Sequence, residues 1–567
     1  MESGESLKKF TPPLTADNYS DENRRILAPF FTNLDKSVYV PLIFAPELIG
    51  ALCSRTSRAP EDLRFIFLKE FILPFLNPLR DPKDTDEGFA EKQAYGDSLR
   101  DFIEFLQHHP VLELFSNPRA RAFYIKWLAE YGDDSIAQMA GMHLIFTGIS
   151  QIAIKHFEDQ RIGLAPIEKS TRYVNYSKKI NGSYLYYADP ALKDMGLETE
   201  YSAAMDGLFE TYTRLIPRLS AWLAKKFPEE KPAVVEKKAF DTLRGLLPVS
   251  TLSQVAFFGN GQAFEYMITR SAKHALGEIR WAAQRAYEEL NTAVPSFLRR
   301  IEQEKSESYQ KYLAEKGERI FPLMKDVLGE RPVSSRGETE VRLIEYDRMG
   351  EEKILTAILF SAPQNHMPWN EIYDRVQKME PEEKRKLFAA YLDNRTERWQ
   401  RVGRAFENAY VRFEITTNIG AWRDLHRHRM LTQMRQDFSC YHGYQIPQGV
   451  KDAGLADEFA SAVEQAEDIF YKINYKNSFL AQYAVTLAHR VRFMQWENLR
   501  QSFWQIELRS IPEGHPDYRH IAQEKFRLLE KVYPLIAEHM RVNMAEYDFA
   551  RRGQEEKIQK KIQQLSF

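Results

Sequence analysis

Trp422-Arg-Asp-Leu-His-Arg-His-Arg-Met-Leu-Thr432 stands out in this 567-residue chain because three arginines and two histidines crowd into residues 423–429. Elsewhere charge is balanced, since 78 Lys+Arg against 80 Asp+Glu leave a net −2. Neighbouring guanidinium groups repel unless they are solvated or face anions, and their planar fork suits phosphate oxygens. Three readings follow: a phosphate site, a solvated basic turn, or a metal site on His426 and His428. The third lacks a carboxylate or thiolate set to complete its shell, so no metal is expected. A second stretch, Ile167-Glu-Lys-Ser-Thr-Arg-Tyr173, brings a carboxylate, two hydroxyls, an arginine and a phenol together. Such a loop can read a nucleotide's phosphate and base edges, but it is also ordinary surface composition.

Outward from these stretches, composition sets the class. The length calls for more than one core. With 26 Gly and 27 Pro the chain is neither fibrous nor low-complexity, and 44% hydrophobic residues supply large cores. The near-zero charge argues against a nucleic-acid or acidic-membrane coat. Two cysteines, Cys53 and Cys440, cannot form a disulfide framework or a four-thiolate zinc site. No apolar run is long enough to span a bilayer, and the first residues are too polar for a signal peptide, so a cytoplasmic protein is expected.

Helical periodicity covers 97–108, 119–130, 200–226, 263–290, 379–410, 457–489 and 519–547. Strand-like pieces are 37–45, 183–187 and 340–345, the last continued near 354–361. A linker-like segment, 329–338, divides the chain into lobes 1–330 and 331–567. The lobes share an outline: Asn260, Arg270 and His274 close the first, and Asn498, Arg509 and His515 close the second. A tandem duplication is the economical reading. A third glycine is missing from Phe258-Gly-Asn-Gly-Gln-Ala, and the sequence has no phosphate-binding loop, His-Glu-x-x-His or Gly-x-Ser-x-Gly. Cys440, near the basic cluster, is either a nucleophile or a packing residue.

Arg427-His428-Arg429 followed by Thr432 resembles the first half of the signature of flavin-dependent thymidylate synthases (the ThyX family), Arg-His-Arg-x-x-Ser-x-x-x-x-Ser-x-Arg. Glu168-Lys169-Ser170-Thr171-Arg172-Tyr173 resembles the second half. The halves lie in different lobes, and the losses are complementary. In the first lobe Gln160-Arg161-Ile162 stands at the Arg-His-Arg place and Ala165 at the first Ser. In the second, Asp437 and Ser439 stand at the later Ser and Arg. A family arginine set before a proline matches Arg244, ahead of Pro248 and Asn260, and its second-lobe counterpart is Gln482. The pyrimidine-facing arginine has candidates Arg270 and Arg509. The resemblance is specific around 131–176, 244–280, 403–432 and 482–515; it leaves 1–35 and 545–567 unexplained.

The resemblance implies an α+β fold of two tandem lobes, helix-rich overall, with helices packed on a small antiparallel sheet in each. It implies reductive methylation of dUMP to dTMP, with methylenetetrahydrofolate as carbon donor and FAD reduced by NADPH. Family active sites form between subunits of a tetramer, so a fused duplicate is expected to keep one composite site per chain and to form a homodimer, a pseudo-tetramer. By the same resemblance, Arg509 would act on the pyrimidine as the catalytic group. Glu168, Lys169, Ser170, Thr171, Arg172, Arg244, Asp424 and Arg427 would join it in binding the nucleotide. Arg427, His428, Arg429, Asn498, Arg500, Glu168, Ser135 and Arg404 would hold FAD, although Asp133 replaces the histidine the family places two residues before Ser135. Two alternatives stay open: a catalytically silent flavin- or nucleotide-binding protein, and a related flavin enzyme acting on another pyrimidine.

Overall fold

A computed structural model describes residues 4–13, 18–81, 85–114, 117–124, 126, 134–160, 163–329 and 338–549. The linker positions 330–337, Arg161 and Ile162, Tyr131–Asp133 and the tail 550–567 lie outside the described residues. The chain divides into two compact units, Met1–Pro332 with Ile446–Thr486, and Val333–Gln445 with Leu487–Phe567. Ile446–Thr486 groups with the first unit because its helix, Ala456–Lys476, lies along Glu198–Lys226. There Glu458 pairs with Arg214 and Arg218, and Lys472 with Glu200.

Each unit is built on one four-stranded antiparallel sheet, and the two sheets have the same order. In the first, β1 (Val38–Tyr39), β2 (Gly141–Ser150), β3 (Leu164–Glu168) and β4 (Leu252–Asn260) lie as β1-β2-β4-β3. In the second, β5 (Glu340–Tyr346), β6 (Tyr410–Asn418), β7 (Thr432–Arg435) and β8 (Arg490–Asn498) lie as β5-β6-β8-β7. The register matches as well: Gly141 faces Asn260 and Tyr410 faces Asn498. A bulge at Gly148 interrupts β2, where φ of +73° suits a residue without Cβ.

Both central strands run directly into helices. In the first unit α1 (Gln151–Glu158) follows β2, α2 (Glu198–Lys226) and α3 (Pro232–Leu243) lead to β4, and α4 (Gly261–Ser271) and α5 (Gly277–Ala293) follow it. In the second unit α6 (Ile419–Leu425) follows β6, while α7 (Leu499–Arg509) and α8 (Pro516–Val532) follow β8. A polar residue closes each corner. Ser150, Asn260, Asn418 and Asn498 are the N-caps of α1, α4, α6 and α7, each accepting a hydrogen bond from the backbone N–H three residues on. The chain thus stops being a strand and starts being a helix at a fixed residue, which sets where each helix delivers its side chains.

The α+β, two-lobe fold is as expected, and several elements correct the periodicity. The expected strand continuation at 354–361 falls in a helix, Gly350–Phe360. The expected helix 379–410 ends at Leu392, and Tyr410 already begins β6. The expected helix 263–290 is two helices with a break at 272–276. Segment 183–187 makes isolated bridges only. The described part of 1–35 is no loose tail: Ile26, Leu27, Phe30 and Phe31 are buried in a first-unit core with Tyr39 and Phe67.

Candidate functional site

The first unit carries one half of the signature at the end of β3. Glu168 is buried, and Lys155 of α1 donates to its Oε2 at 2.8 Å while also pairing with Glu158 at 2.6 Å. The following loop is pinned by its backbone: Lys169 N–H donates to the Gln254 carbonyl and Ser170 N–H to the Ser57 carbonyl. The Lys169 ammonium anchors the same loop, donating to the carbonyls of Pro60 and Glu61 at 2.9 and 3.1 Å. Ser170 Oγ accepts from the Arg172 N–H, and Thr171 is buried beside them. Arg172 then meets Asp241 of α3 fork to fork: Nε donates to Oδ1 and Nη2 to Oδ2, both at 2.9 Å. Arg244, one turn past Asp241, places Nε 3.8 Å from the same carboxylate. Two arginines expected on one phosphate therefore share one buried acid, which fixes the plane of the Arg172 fork.

The second unit carries the other half at the end of α6. The helix stops at Leu425, so Arg427 and Arg429 project as exposed side chains while His428 between them is buried. The His428 ring is held from both sides by α7. Arg509, the last residue of that helix, donates from Nε to His428 Nε2 at 2.8 Å, and the Gln501 amide lies 3.2 Å from Nδ1. An arginine only donates, so Nε2 is the bare nitrogen and the ring proton sits on Nδ1; the Gln501 atom facing Nδ1 is its amide Nε2, and turning that amide over presents Oε1 to receive the proton. Burial, then the Arg509 and Lys525 charges, pushes the histidine well below its ordinary pKa, which keeps it an acceptor. The Arg509 guanidinium is itself destabilised by burial and by Arg427, against the favourable charge of Asp424. A cation in that setting is stabilised by an anion, or by negative charge that develops beside it.

The remaining flavin candidates gather less tightly. Arg500 pairs with Glu407 at 2.5 Å, and exposed Arg404 pairs with the other oxygen of the same carboxylate. Asn498 has a capping duty, accepting from the Gln501 N–H at 2.9 Å. Ser135 lies in a short helix, Asp134–Gln138, and its side chain is outside the described residues. Cys440 is buried at 3% exposure, as a packing residue would be.

Register overturns one pairing of the two lobes. α4 and α7 are both eleven residues long and capped by Asn260 and Asn498, so Arg509 corresponds to Ser271. Arg270 sits one residue earlier and donates to the His156 carbonyl, whereas Ser271 Oγ lies 2.9 Å from His156 Nε2. Sequence reasoning missed Asp241, Lys155, Glu407 and Gln501. A signal existed for two: Asp241 is three residues before Arg244, and Gln501 is eight before Arg509, spacings that share a helix face.

The family of the thymidylate synthase complementing protein matches the chain twice, over residues 89–296 and 342–535. The chain belongs to this family. The first match contains β2, β3 and β4 and the second contains β6, β7, β8 and most of β5, so the family domain occurs twice. Two UPF0159 proteins are similar to this chain over nearly its whole length. One, from Chlamydia muridarum, is 33% identical over 95% of this chain and 98% of its own length; one from Chlamydia pneumoniae is 32% identical over the same shares. A UPF0159 protein of Thermoplasma acidophilum, Ta1429, is 30% identical over 74% of this chain and 88% of its own. Among solved structures, the UMP/dUMP methylase PolB from Streptomyces cacaoi bound with 5-Br dUMP matches 36% of this chain and 95% of its own, at 14% identity and a TM-score of 0.30. Nothing about this chain rests on so distant a likeness. Among the described residues no helix is long and apolar enough to cross a membrane.

Proposed function

We propose that this chain is a flavin-dependent thymidylate synthase, converting dUMP to dTMP with one complete set of site residues per chain. The observation that carries the reading is the division of labour between the units. The first keeps a buried two-arginine fork on Asp241, and the second keeps Arg427-His428-Arg429 with Arg509 docked on the histidine.

Arg172 and Arg244 would hold the nucleotide phosphate, Ser170 and Thr171 would orient the nucleotide, and Lys169 would keep their loop in place. Glu168, neutralised by Lys155, would meet the nucleotide or the flavin as a hydrogen-bond acceptor. Arg427 and Arg429 are exposed cations suited to an anionic cofactor, and Arg404 and Arg500, braced by Glu407, add to them. FAD reduced by NADPH would supply the hydride, and methylenetetrahydrofolate the carbon. Arg509 would stabilise negative charge developing on the pyrimidine. Its donors are fixed beforehand by His428, so little reorganisation is needed when that charge appears. Asp424 would offset the positive charge around it. The assembly expected is a homodimer, a pseudo-tetramer of family domains, working in the cytoplasm.

Incubating the purified chain with dUMP, methylenetetrahydrofolate, FAD and NADPH should yield dTMP, and titrating the apoprotein with flavin should saturate at one per chain. No dTMP despite bound flavin would remove the reading, and two equal tight flavin sites would remove the single set.

A further inference from the structure

Beneath Arg509 the second unit buries a polar cluster that its sister unit does without. Lys525 of α8 is fully enclosed and donates to Gln505 Oε1 at 2.6 Å and Gln495 Oε1 at 3.0 Å. It also pairs with Glu497 at 2.8 Å, which accepts from Ser502 Oγ at 2.7 Å. Gln505 Nε2 donates to Gln495 Oε1 at 3.2 Å, closing the cluster. Gln501, Gln505 and Arg509 are spaced four apart on α7, so one helix face carries the cluster at its middle and the His428 contacts at both ends.

Desolvating a lysine and a carboxylate costs several kcal/mol per ion, and apolar residues of similar volume commonly serve as well. The first unit shows that they do. At the same register, Gln495, Glu497, Gln501, Ser502, Gln505 and Lys525 are Phe257, Gly259, Ala263, Phe264, Met267 and Ala286, all buried. The fold therefore forms without the cluster. What the cluster accompanies is the retained Arg-His-Arg end: the apolar version lies where Arg509 has become Ser271 and the Arg-His-Arg place begins with Gln160.

We propose that Gln501 and the Lys525–Glu497 cluster are positioning residues, which hold His428 as the acceptor that aims Arg509. Gln501 receives the Nδ1 proton and so leaves Nε2 bare for the arginine. Lys525 puts a fixed positive charge nearby that disfavours a second ring proton, and Glu497 with the glutamines keeps that charge in place. The proposal rests on the function above only for its readout in turnover; the geometry it explains is independent of the substrate.

Two variants of the full chain test it. Lys525→Met with Glu497→Gln removes both buried charges, and Gln501→Met keeps volume while removing the amide. Each is followed by 15N NMR of the histidine side chains, assigned against His428→Asn, and by dTMP formation. The parent should show one neutral Nδ1–H tautomer for His428. Both variants should lose that single tautomer and fall about 10- to 100-fold in kcat, with KM for dUMP within about threefold. The double variant's melting temperature should be unchanged or raised. Unchanged tautomer and kcat would overturn the proposal. So would a lowered melting temperature or loss of the fold in the double variant, because the cluster would then be structural. If the parent made no dTMP, the assigned reaction would fall, and the tautomer measurements alone would decide this proposal.

Discussion

The two units share sheet order, register and corner caps, yet the chemistry they retain does not overlap. At the places of Arg172, Asp241 and Arg244 in the first copy of the sequence repeat, the second copy has Ser439, Phe479 and Gln482. At the place of Arg509 the first unit has Ser271. Residues that bind one another have disappeared together. Removing one partner of a buried ion pair leaves an uncompensated charge that costs about 3–5 kcal/mol, so a copy that loses Arg172 has little use for Asp241. Duplication allows each copy to lose half of the site as a block while the other half stays whole. Complementary loss is thus what a divided site leaves behind.

The sharpest way to break this comparison is at the two helix ends. Arg509→Ala should lower dTMP formation by about two to three decades, the cost of one charge-assisted contact made chiefly in the transition state. Arg270→Ala, which removes the hydrogen bond to the His156 carbonyl, should leave turnover close to the parent's and act on stability. Steady-state kinetics on the two variants decide between the units, and a dead Arg270→Ala with a normal Arg509→Ala would reverse the assignment.

Next in size is the fork of the first unit. Arg172→Ala should weaken dUMP binding about 10- to 100-fold, since a charge-assisted hydrogen bond to phosphate contributes roughly 1.5–3 kcal/mol. Asp241→Asn should weaken it less, because both arginines keep their charge and only the acid that fixes the plane of Arg172 is lost. Calorimetric titration with dUMP reads both. Equal loss in both variants would mean that the acid, and not the arginine charge, dominates recognition.

The sequence makes the chemistry easier to read than the sheets. Arg427-His428-Arg429 and the 168–173 loop are visible because residue type and spacing alone carry the resemblance to the family signature. Core strands β2 and β4 are not, because a central strand buried on both faces loses the alternation that marks a half-exposed one, an alternation that β6 and β8 keep in part. β2, Gly-Met-His-Leu-Ile-Phe-Thr-Gly-Ile-Ser, is buried over its last seven residues and offers no period. The helix ends are hidden for a different reason: only the caps at Asn260 and Asn498 fix the register that pairs Arg509 with Ser271 rather than Arg270. Asp241 and Gln501 show only a helical spacing to Arg244 and Arg509, because the partners that give them a role, Arg172 and His428, are distant in sequence.

The corners themselves supply a smaller test. Asn418 Nδ2 donates to Asp517 in the second unit, at 2.7 Å, while in the first Ser150 donates through N–H and Oγ to Glu278, which also accepts from Tyr483 OH. Burial pushes the Glu278 carboxyl up to about 7, above its usual 4.5. The folded state then holds one more proton than the unfolded state between those values, so stability falls as pH rises from about 4.5 to about 7. The contribution is roughly 3 kcal/mol across that window, and Glu278→Gln should abolish it. Urea unfolding of the parent and Glu278→Gln at pH 5 and 7.5 measures the difference. A gap between them that does not change with pH would mean that the carboxyl stays ionised.

The smallest effect is expected at Cys440, where a thiol mechanism and flavin chemistry part company. Thymidylate synthesis by a cysteine nucleophile needs a thiolate that can reach the pyrimidine ring, and the arginines of 423–429 are near in sequence to stabilise one. The surroundings argue for packing instead. Cys440 is 3% exposed, and its neighbour Phe438 is buried against Trp422, ring centroids 5.4 Å apart. A reduced flavin also removes the need for an enzyme nucleophile, because the hydride comes from the cofactor. Cys440→Ala should therefore keep dTMP formation within about tenfold of the parent, where losing an essential nucleophile costs many decades. Flavin content must be measured on the same preparation. A variant with normal flavin content and no turnover would put the nucleophile on this chain and overturn the assignment of the chemistry to Arg509 and a reduced flavin.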